Sequence, residues 1–548
     1  MRRSTSGRQM TRGLQAVFSI VMLTSCVSGS GEPSSQRVSA TVQEPVQVEE
    51  RIKSSAWNLT LTVTDLSGRP IPKAEIVMED GIRDAEFRLT DGNGFSRFST
   101  FQGERQVTIQ ANGYKKFVHR VLLMNDAHLD AVLERDYRSA RRGRVSLAGR
   151  ALSDDEGPLL AVGASLFWAA WAYRNDLARL ERNLEWLAGY GFDYIRTVGM
   201  VGAQPFWAGR EVQPFTLDYW ETIEGVTDLA YDQYGLRVQW VIFADAQVMM
   251  PDEIDRAAWV DRWAEFANLR SEKVLFLELA NEFWKNGLNA RELVDLTARL
   301  GSQTEVLVAA STPAGHDCSS WESVYRGGQA DLATIHFDRN DHFTEGKWRP
   351  VHLPWKFGSC LGMPPAASNN EPIGPNSLVV SDDDPVRIVS SAVMTFVSQL
   401  SAYVYHSRAG IRGDVNLWDE ERADEIALGL QQLKRYLPVD LPNWERQGHR
   451  SPRHPFAPSL DDQFLTGGRT EGIVRAYGTI SGNQFLVVPI GIRGRVTLVP
   501  QYRMSLDLID PITGVAWAHH ELEAGEKLVL LGRMPTVVIR GKFLESVS

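Results

Sequence analysis

The 548-residue chain has only three cysteines and no long basic run after its first dozen residues. After the apolar run near its start, it has no segment long and apolar enough to be transmembrane. The missing basic run leaves a nucleic-acid partner without electrostatic support, and the net charge of −10 agrees with this. The chain also has neither the Gly-x-Ser-x-Gly sequence of α/β-hydrolases nor a His-Glu-x-x-His zinc motif. These absences argue against esterase, zinc-protease and nucleic-acid-binding functions.

The first 25 residues have the pattern of an export signal. Four arginines precede the apolar run Ala16–Leu23, which is too short to span a bilayer. The run ends in Leu-Thr-Ser-Cys and resembles a bacterial lipoprotein signal. This resemblance implies lipidation of Cys26 and anchoring to the cell envelope, with the outer membrane as the first candidate. The alternative is an ordinary secretory signal with an incidental cysteine. Residues 26–55 are rich in Ser, Gln, Glu and Pro, which predicts a disordered tether.

The two remaining cysteines, Cys318 and Cys360, fall in loops that we expect on the same face of one domain. In an exported protein, cysteines so placed can pair. A disulfide and two free thiols are both open at this stage.

Residues 56–138 predict a small all-β domain. In the segment WNLTLTVT, apolar and polar residues alternate from Trp57 onward, and Gly-containing turns recur after it. The segment resembles the carboxypeptidase regulatory-like β-sandwich, which implies a spacer or accessory module. The resemblance rests on Asp65, Gly68, Pro70-Ile71 and Ala74, on the run Thr90–Gly94, and on Gly113-Tyr114.

Residues 139–450 change to short apolar runs that alternate with amphipathic helices. Continuously apolar strands are typical of a parallel sheet that is buried on both faces, and eight repeats favour a (β/α)8 barrel. An open doubly wound sheet is the alternative, but no Gly-rich phosphate loop follows the first strand. The predicted strands are 159–168, 192–199, 236–245, 274–282, 304–311, 330–337, 371–374 and 402–407. The predicted helices are 176–191, 217–234, 255–269, 290–300, 319–327, 385–400 and 420–436.

Residues 455–548 return to a β pattern, with a hairpin that turns at Ser481-Gly482-Asn483. A C-terminal β-sandwich is therefore expected. The predicted fold class is α/β, a (β/α)8 barrel flanked by an N-terminal and a C-terminal β-sandwich.

The predicted fourth strand, VLFLELANE, ends in an ionisable residue. Active sites of (β/α)8 barrels lie at the carboxyl ends of the strands, so Glu282 would point into the mouth. Its neighbours Asn281, Phe283 and Trp284 favour a catalytic role over the commoner fate of a loop or capping acid.

This stretch resembles the clan A glycoside hydrolases, the retaining group that includes cellulases, mannanases and β-galactosidases. The resemblance implies that Glu282 is the acid/base and that Asn281 binds the sugar's 2-hydroxyl. It also implies a nucleophilic Glu at the end of strand seven, for which Glu371 is the candidate. Glu345 and the acids at 382–384 compete for that role.

The same resemblance implies two supporting residues. Arg196 at the end of strand two would support the nucleophile, although a structural salt bridge is the alternative. His336 on strand six matches a histidine that is common there. Asp338 stands where the clan commonly has a tyrosine, and strand eight offers Tyr405 and His406 in place of a tryptophan.

Two carboxylates suit glycoside hydrolysis with retention of configuration. One acid protonates the leaving oxygen, the other attacks the anomeric carbon, and the carboxyl groups lie about 5–5.5 Å apart. The acid/base Glu282 should then have a raised pKa, and Glu371 should stay ionised. The reaction needs no cofactor.

Several side chains are candidates for contacts to the sugar. Asp245 and Gln247, at the end of strand three, could bond hydroxyls or serve the structure. Aromatic rings can stack on the C–H face of a sugar, although each ring can equally be core packing. The candidate rings are Phe167, Trp168, Trp171, Trp207, Trp284, Trp348 and Trp355.

A metal site is a weaker alternative. The residue types at His336, Asp338, Asp341 and His342, and at His316 and Asp317, suit a divalent ion. Our expectation is nevertheless an exported, lipid-anchored or secreted glycosidase of β-linked oligo- or polysaccharides. The alternative is a non-catalytic glycan-binding surface lipoprotein on a degenerate barrel.

Overall fold

The computed structural model describes residues 57–545 apart from short gaps. These gaps are 66–67, 69, 80–84, 112–113, 135–140, 203, 208, 313–316, 327, 342–344, 359, 377–379, 449 and 458–470. The predicted export signal, the tether and Cys26 lie outside the described residues. No helix in the described part of the chain is long and apolar enough to cross a membrane.

The described part of the N-terminal region contains seven strands in two sheets. Strand β1 pairs in parallel with β7 and antiparallel with β4, and β3, β2, β5 and β6 form the second sheet. The alternation in β1 buries Leu59, Leu61 and Val63 between the sheets, as its sequence predicts. The strands are β1 (Trp57–Asp65), β2 (Glu75–Glu79), β3 (Glu86–Leu89), β4 (Phe95–Thr100), β5 (Gly103–Gln110), β6 (Phe117–Leu123) and β7 (Ala127–Leu133).

A small antiparallel sheet precedes the barrel and was not predicted from the sequence. It contains β8 (Ser146–Ala148), β9 (Ala151–Asp154) and β10 (Gly157–Leu159). Leu152 and Leu159 pack against the amino ends of the barrel strands, in a cluster that includes Leu275 and Leu332. This sheet therefore closes the lower end of the barrel.

Eight parallel strands form a closed barrel in chain order, which confirms the predicted fold class. Every residue of the third and fourth strands is buried, as continuous apolar runs predict. The strands are β11 (Ala161–Ser165), β12 (Tyr194–Val198), β13 (Arg237–Phe243), β14 (Val274–Ala280), β15 (Val308–Ser311), β16 (Leu332–Ile335), β17 (Ala366–Asn369) and β18 (Ala402–Tyr405).

Helices follow the barrel strands, and several short ones line the upper connections. Helix α2 buries Leu180, Leu184 and Leu187, whose spacing of three to four residues places them on one face. The helices are α1 (Ala169–Asn175), α2 (Leu177–Gly189), α3 (Tyr219–Asp228), α4 (Ala246–Met249), α5 (Glu253–Leu269), α6 (Ala290–Gly301), α7 (Cys318–Tyr325), α8 (Arg349–His352), α9 (Pro354–Phe357), α10 (Pro385–Val397), α11 (Arg408–Arg412) and α12 (Ala423–Tyr436). A π-helical turn, Leu229–Gln233, continues α3.

The seventh strand differs from its prediction. The segment Glu-Pro-Ile-Gly at 371–374 was expected to be the strand, but β17 covers the preceding residues Ala366–Asn369. The strand is built from small and polar residues, so it lacks the apolar run that reveals the other strands. Glu371 consequently lies two residues beyond the carboxyl end of β17.

The C-terminal strands form a six-stranded sheet and a two-stranded ribbon around their own core. The predicted hairpin is present, because β20 and β21 pair around Gly482. The strands are β19 (Glu445–Gln447), β20 (Arg475–Ser481), β21 (Gln484–Ile490), β22 (Arg495–Leu498), β23 (Met504–Ile509), β24 (Ala516–Leu522), β25 (Leu528–Leu531) and β26 (Val538–Phe543).

A disulfide links two connections on the upper face of the barrel. Cys318 begins α7 after the fifth strand, and Cys360 lies between the sixth and seventh strands. Their sulfur atoms are 2.05 Å apart. Of the two possibilities left by the sequence, the structure has the disulfide.

Candidate active site

A buried arginine connects the second, fourth and seventh strands. Arg196 lies in β12, and its guanidinium group is fully buried. It donates hydrogen bonds to both oxygens of Glu278 at 3.0 and 3.3 Å, to Glu371 at 3.2 Å and to the side chain of Asn281 at 2.8 Å. The arginine therefore holds Glu371 and Asn281 in one place, and its contact with Glu371 agrees with the expectation that Arg196 supports this acid.

Glu278 is the single acid within the apolar fourth strand, and its contacts explain why it is there. It is fully buried beneath the cavity and neutralises Arg196. Gln239 of β13 donates to Glu278 at 2.8 Å, and Asn370 donates to both of its oxygens at 3.0 Å. The hydrogen-bonding capacity of this buried carboxylate is therefore well satisfied.

Glu371 is surrounded by groups that favour its ionised form. Burial alone would raise the pKa of Glu371, but His336 and His406, when protonated, and the permanently charged guanidinium groups of Arg196 and Arg339 hold this pKa well below its usual range. The carboxylate is thus available as a nucleophile at neutral pH.

His406 follows β18 and touches the same carboxylate. Its Nε2 atom lies 3.7 Å from Glu371, and its Nδ1 atom is hydrogen-bonded to the hydroxyl of Ser165 at 2.8 Å. Burial lowers the pKa of His406 to about 3, against the opposing effect of Glu371. The imidazole is therefore neutral at physiological pH.

His336 lies between the two candidate carboxylates. Its Nδ1 atom is 3.7 Å from an oxygen of Glu282 and 3.5 Å from an oxygen of Glu371. The two oxygens can therefore be no farther apart than the sum of these distances, 3.7 and 3.5 Å, or about 7 Å. The carboxyl separation of retaining enzymes falls within this limit. Both glutamates also line the same cavity.

Glu282 lies two residues beyond the fourth strand and has a backbone φ of 39°, in the left-handed region that non-glycine residues rarely adopt. Such strain is concentrated at functional sites. Burial would raise the pKa of Glu282, but the nearby imidazole of His336 and the hydrogen-bonded ammonium group of Lys285 leave this pKa below its ordinary value despite repulsion from Glu371. The expectation of a raised pKa in the free protein was therefore wrong, because the sequence did not reveal these two partners.

The cavity between these groups has a volume of about 340 Å³. Its aromatic wall is made by Phe167, Phe206 and Trp207, and its charged wall includes Lys285 and Arg339. Phe206 and Trp207 are in edge contact, with ring centroids 4.7 Å apart. This combination can hold a ligand with both apolar and charged parts.

Asp245 also lines the cavity, but its oxygens already serve the protein. They accept hydrogen bonds from the backbone of Gly202 at 3.0 Å, from Gln204 at 2.7 Å and from the indole of Trp207 at 2.7 Å. Asp245 thus fixes the aromatic wall, and this structural role was one of the two alternatives. Gln247 also lines the cavity.

Trp168 and Trp284 do not match their expected places. Trp168 is only 1% exposed, its indole donates to the carbonyl of Ala409 at 2.9 Å, and Arg179 stacks on its ring, so no face is open to a sugar. Trp284 is half-buried against Phe283 and is not one of the described residues that line the cavity. Of the other candidate rings, Phe167 and Trp207 do line it, whereas Trp171, Trp348 and Trp355 do not.

The predicted metal alternative has no support in the described part of the chain, where no three potential ligands cluster. Asp338 pairs with Arg349 at 2.6 Å, and Asp317 caps α7 by accepting from Ser320. His316 and His342 lie outside the described residues.

Three of the residues that surround the glutamates were not predicted from the sequence. Lys285 and Arg339 lie in irregular connections, where no periodicity shows which way a side chain points. Asn370 is adjacent to Glu371 in sequence. This position next to a candidate nucleophile was the one feature from which its place in the site could have been predicted.

Comparison with solved structures finds the same architecture in glycoside hydrolases. One protein described as a glycoside hydrolase superposes with a TM-score of 0.55 at 13% identity, covering 74% of this chain and 98% of that one. A glycoside hydrolase family 5 protein from Bacteroides vulgatus gives a TM-score of 0.54 at 13% identity, covering 73% of this chain and 94% of its own. No protein-family model matches the chain, and a search of curated proteins finds no match. The likeness establishes a fold that these glycoside hydrolases share.

Proposed function

We propose that this protein is a retaining glycoside hydrolase that cleaves β-linked glycans. The observation that carries the proposal is the approach of Glu282 and Glu371 to one nitrogen of His336 inside a single cavity at the upper end of the barrel. The fold shared with solved glycoside hydrolases agrees with this interpretation.

The two glutamates would take different roles in double displacement, and Glu282 would have to gain a proton before the first step. Glu371 is buried, ionised and held by Arg196, so it can attack the anomeric carbon and form a covalent glycosyl-enzyme. Glu282 is more exposed, and it gives a proton to the leaving oxygen in the first step. In the second step Glu282 takes a proton from water, which then releases the sugar from Glu371.

Asn281 lies between these groups. Its side-chain oxygen accepts from Arg196 at 2.8 Å, so its amide NH2 is oriented away from the arginine and can donate to a sugar hydroxyl. This arrangement supports the role that the resemblance implies for Asn281.

A panel of aryl β-glycosides and β-linked polysaccharides tests the proposal, using the wild type and the variants Glu282→Gln and Glu371→Gln. We expect each variant to lose at least about 100-fold in kcat but still to bind a substrate that the wild type cleaves. Glu345→Gln is the matched control, because Glu345 pairs with Arg475 at 3.1 Å and does not line the cavity. Full activity in both variants would disprove the assignment of the dyad, and binding without hydrolysis in the wild type would favour a glycan-binding protein.

Export and lipidation at Cys26 remain predictions from the sequence. Metabolic labelling with palmitate in a bacterial host should mark the wild-type chain and not the Cys26→Ser variant. Labelling of neither chain would favour an ordinary secretory signal.

A further inference from the structure

Lys285 places an ammonium group directly on the acid that the proposed mechanism has to protonate. Its Nζ atom is 3.0 and 2.9 Å from the two carboxylate oxygens of Glu282. The two residues are three positions apart in the turn that follows β14, and the lysine side chain is 61% exposed. Exposed pairs of this kind contribute little stability, so Lys285 can move to another partner at low cost.

This ion pair conflicts with the first catalytic step. A general acid must carry a proton, but a carboxylate that is paired with an ammonium group favours its ionised form. Lys285, together with His336, favours the ionised form of Glu282, so a ligand that leaves Lys285 in place keeps this bias. A ligand that draws Lys285 away removes the part that Lys285 contributes and makes it easier for Glu282 to take up the proton that it needs.

Arg339 adds a second cation to the same cavity. It lines the wall, its side chain is 12% exposed, and it approaches Glu371 at 3.6 Å. Each proposed catalytic carboxylate thus has a cation beside it that borders the ligand space. The other acid in the wall, Asp245, is already hydrogen-bonded to Gln204 and Trp207, so its charge is partly offset.

We propose that the natural substrate carries a negative charge, a carboxylate or a sulfate, on the sugar that departs with the glycosidic oxygen, and that Lys285 binds this group. The proposal rests on the proposed function and specifies its substrate class. The acid/base lies beside the leaving oxygen, so a cation in contact with that acid faces the leaving sugar and not the sugar that becomes attached to Glu371.

The proton balance of the step is simple. Lys285 stays protonated and moves from Glu282 to the anionic group, and Glu282 takes one proton from solvent. This proton passes to the glycosidic oxygen as the bond from that oxygen to the anomeric carbon breaks and Glu371 bonds to the carbon. The competing explanation is that Lys285 only positions Glu282, whatever the charge of the substrate.

Aryl glycosides with matched leaving groups separate these explanations. We would use the 3-carboxyphenyl, 3-sulfophenyl and neutral 3-carbamoylphenyl β-glycosides of whichever sugar the panel shows to be cleaved. Each would be tested with the wild type, with Lys285→Met and with Lys527→Met. Lys527 is an exposed lysine of the C-terminal region, so Lys527→Met controls for the loss of one positive charge.

The wild type should prefer an anionic leaving group over the neutral one by about tenfold or more in kcat/KM, the effect of one hydrogen bond to a charged group. Lys285→Met should abolish this preference, and Lys527→Met should keep it. Differences in leaving-group acidity cancel, because the same substrates are compared between variants. A preference for only the carboxylate or only the sulfonate identifies the kind of anion.

Two outcomes would overturn the inference while the proposed function stands. One is activity without any preference for charge, and the other is a preference that Lys285→Met leaves unchanged. An equal loss on all three substrates would show that Lys285 only positions Glu282. If no glycoside is cleaved, or if Glu282→Gln remains fully active, the proposed function fails first.

Discussion

Replacing Arg196 by methionine tests whether the buried charge network holds the site together. The side chain of Arg196 is fully buried and supplies hydrogen bonds to Glu278, Glu371 and Asn281. Methionine fills a similar volume without charge, so the variant leaves two carboxylates without their shared cation.

The expected loss of stability is large. Breaking a buried ion pair by removing one partner costs about 3–5 kcal/mol, because the remaining charge is uncompensated. We expect about 4 kcal/mol at pH 7, where both carboxylates of the network are ionised in the unfolded chain. The loss should be smaller at pH 4, because Arg196 helps to hold the pKa of Glu371 below its usual range, and the stability that this contributes is lost as the carboxylate is protonated.

Urea unfolding followed by tryptophan fluorescence measures this change at both pH values. The double variant Arg196→Met/Glu278→Gln is the informative control, because the uncharged amide that replaces the Glu278 carboxylate can still accept from Gln239 and Asn370. We expect the double variant to recover about half of the lost stability. A loss below about 1 kcal/mol in the single variant, or additive effects in the double variant, would refute the argument that charge pairing stabilises the site.

Three further predictions concern stability at residues other than Glu282 and Glu371. Trp168→Ala should lower the free energy of unfolding by about 3–5 kcal/mol in urea titrations and leave KM unchanged, because Trp168 is core and not a platform. Burial raises the pKa of Glu420 to about 7 from 4.5, so the folded state binds a proton that the unfolded state has lost, and stability falls as pH rises from about 4.5 to 7. Glu420→Gln should therefore raise the free energy of unfolding by up to about 3 kcal/mol at pH 8 and change it little at pH 4. Thermal or urea unfolding measures this difference. Replacing Cys318 and Cys360 by serine should cost about 4 kcal/mol, from the chain entropy of a loop with a separation of 42 residues.

Each of these predictions has a clear contrary result. A raised KM in Trp168→Ala with normal stability would place that ring in the ligand site. Equal effects of Glu420→Gln at both pH values would show that the carboxyl group is not protonated in the folded state. Unchanged unfolding of the double serine variant, with reduced wild type as the control, would show that the link adds no stability.

The barrel could be predicted because its strands are buried on both faces. A strand such as Val274–Ala280 must then be apolar throughout, and a run of this kind is visible in sequence. The Asn281-Glu282 pair was placed by the same reasoning, since the end of such a strand fixes where its next residues lie. Sheet β8–β10 was missed because its three strands have only three or four residues each.

The walls of the cavity could not be predicted in the same way. The segment of 30 residues between Ile335 and Ala366 contains only short helical turns in its described part, so its sequence does not show that Arg339 turns toward Glu371. The lowered pKa of Glu282 depends on His336 and Lys285, which approach from just beyond the sixth strand and from a turn. Such contacts follow from tertiary structure and leave no periodic signal.

The small sheet beneath the barrel covers the end opposite the two glutamates. Leu152 and Leu159 of this sheet pack on the barrel strands, Arg196 and Glu278 are fully buried in the interior, and both glutamates line the cavity at the carboxyl ends of the strands. If the protein is the glycoside hydrolase that we propose, the water that ends a cycle would enter through the same cavity that the leaving sugar occupies. A leaving sugar that binds too tightly would then slow turnover by blocking access of water.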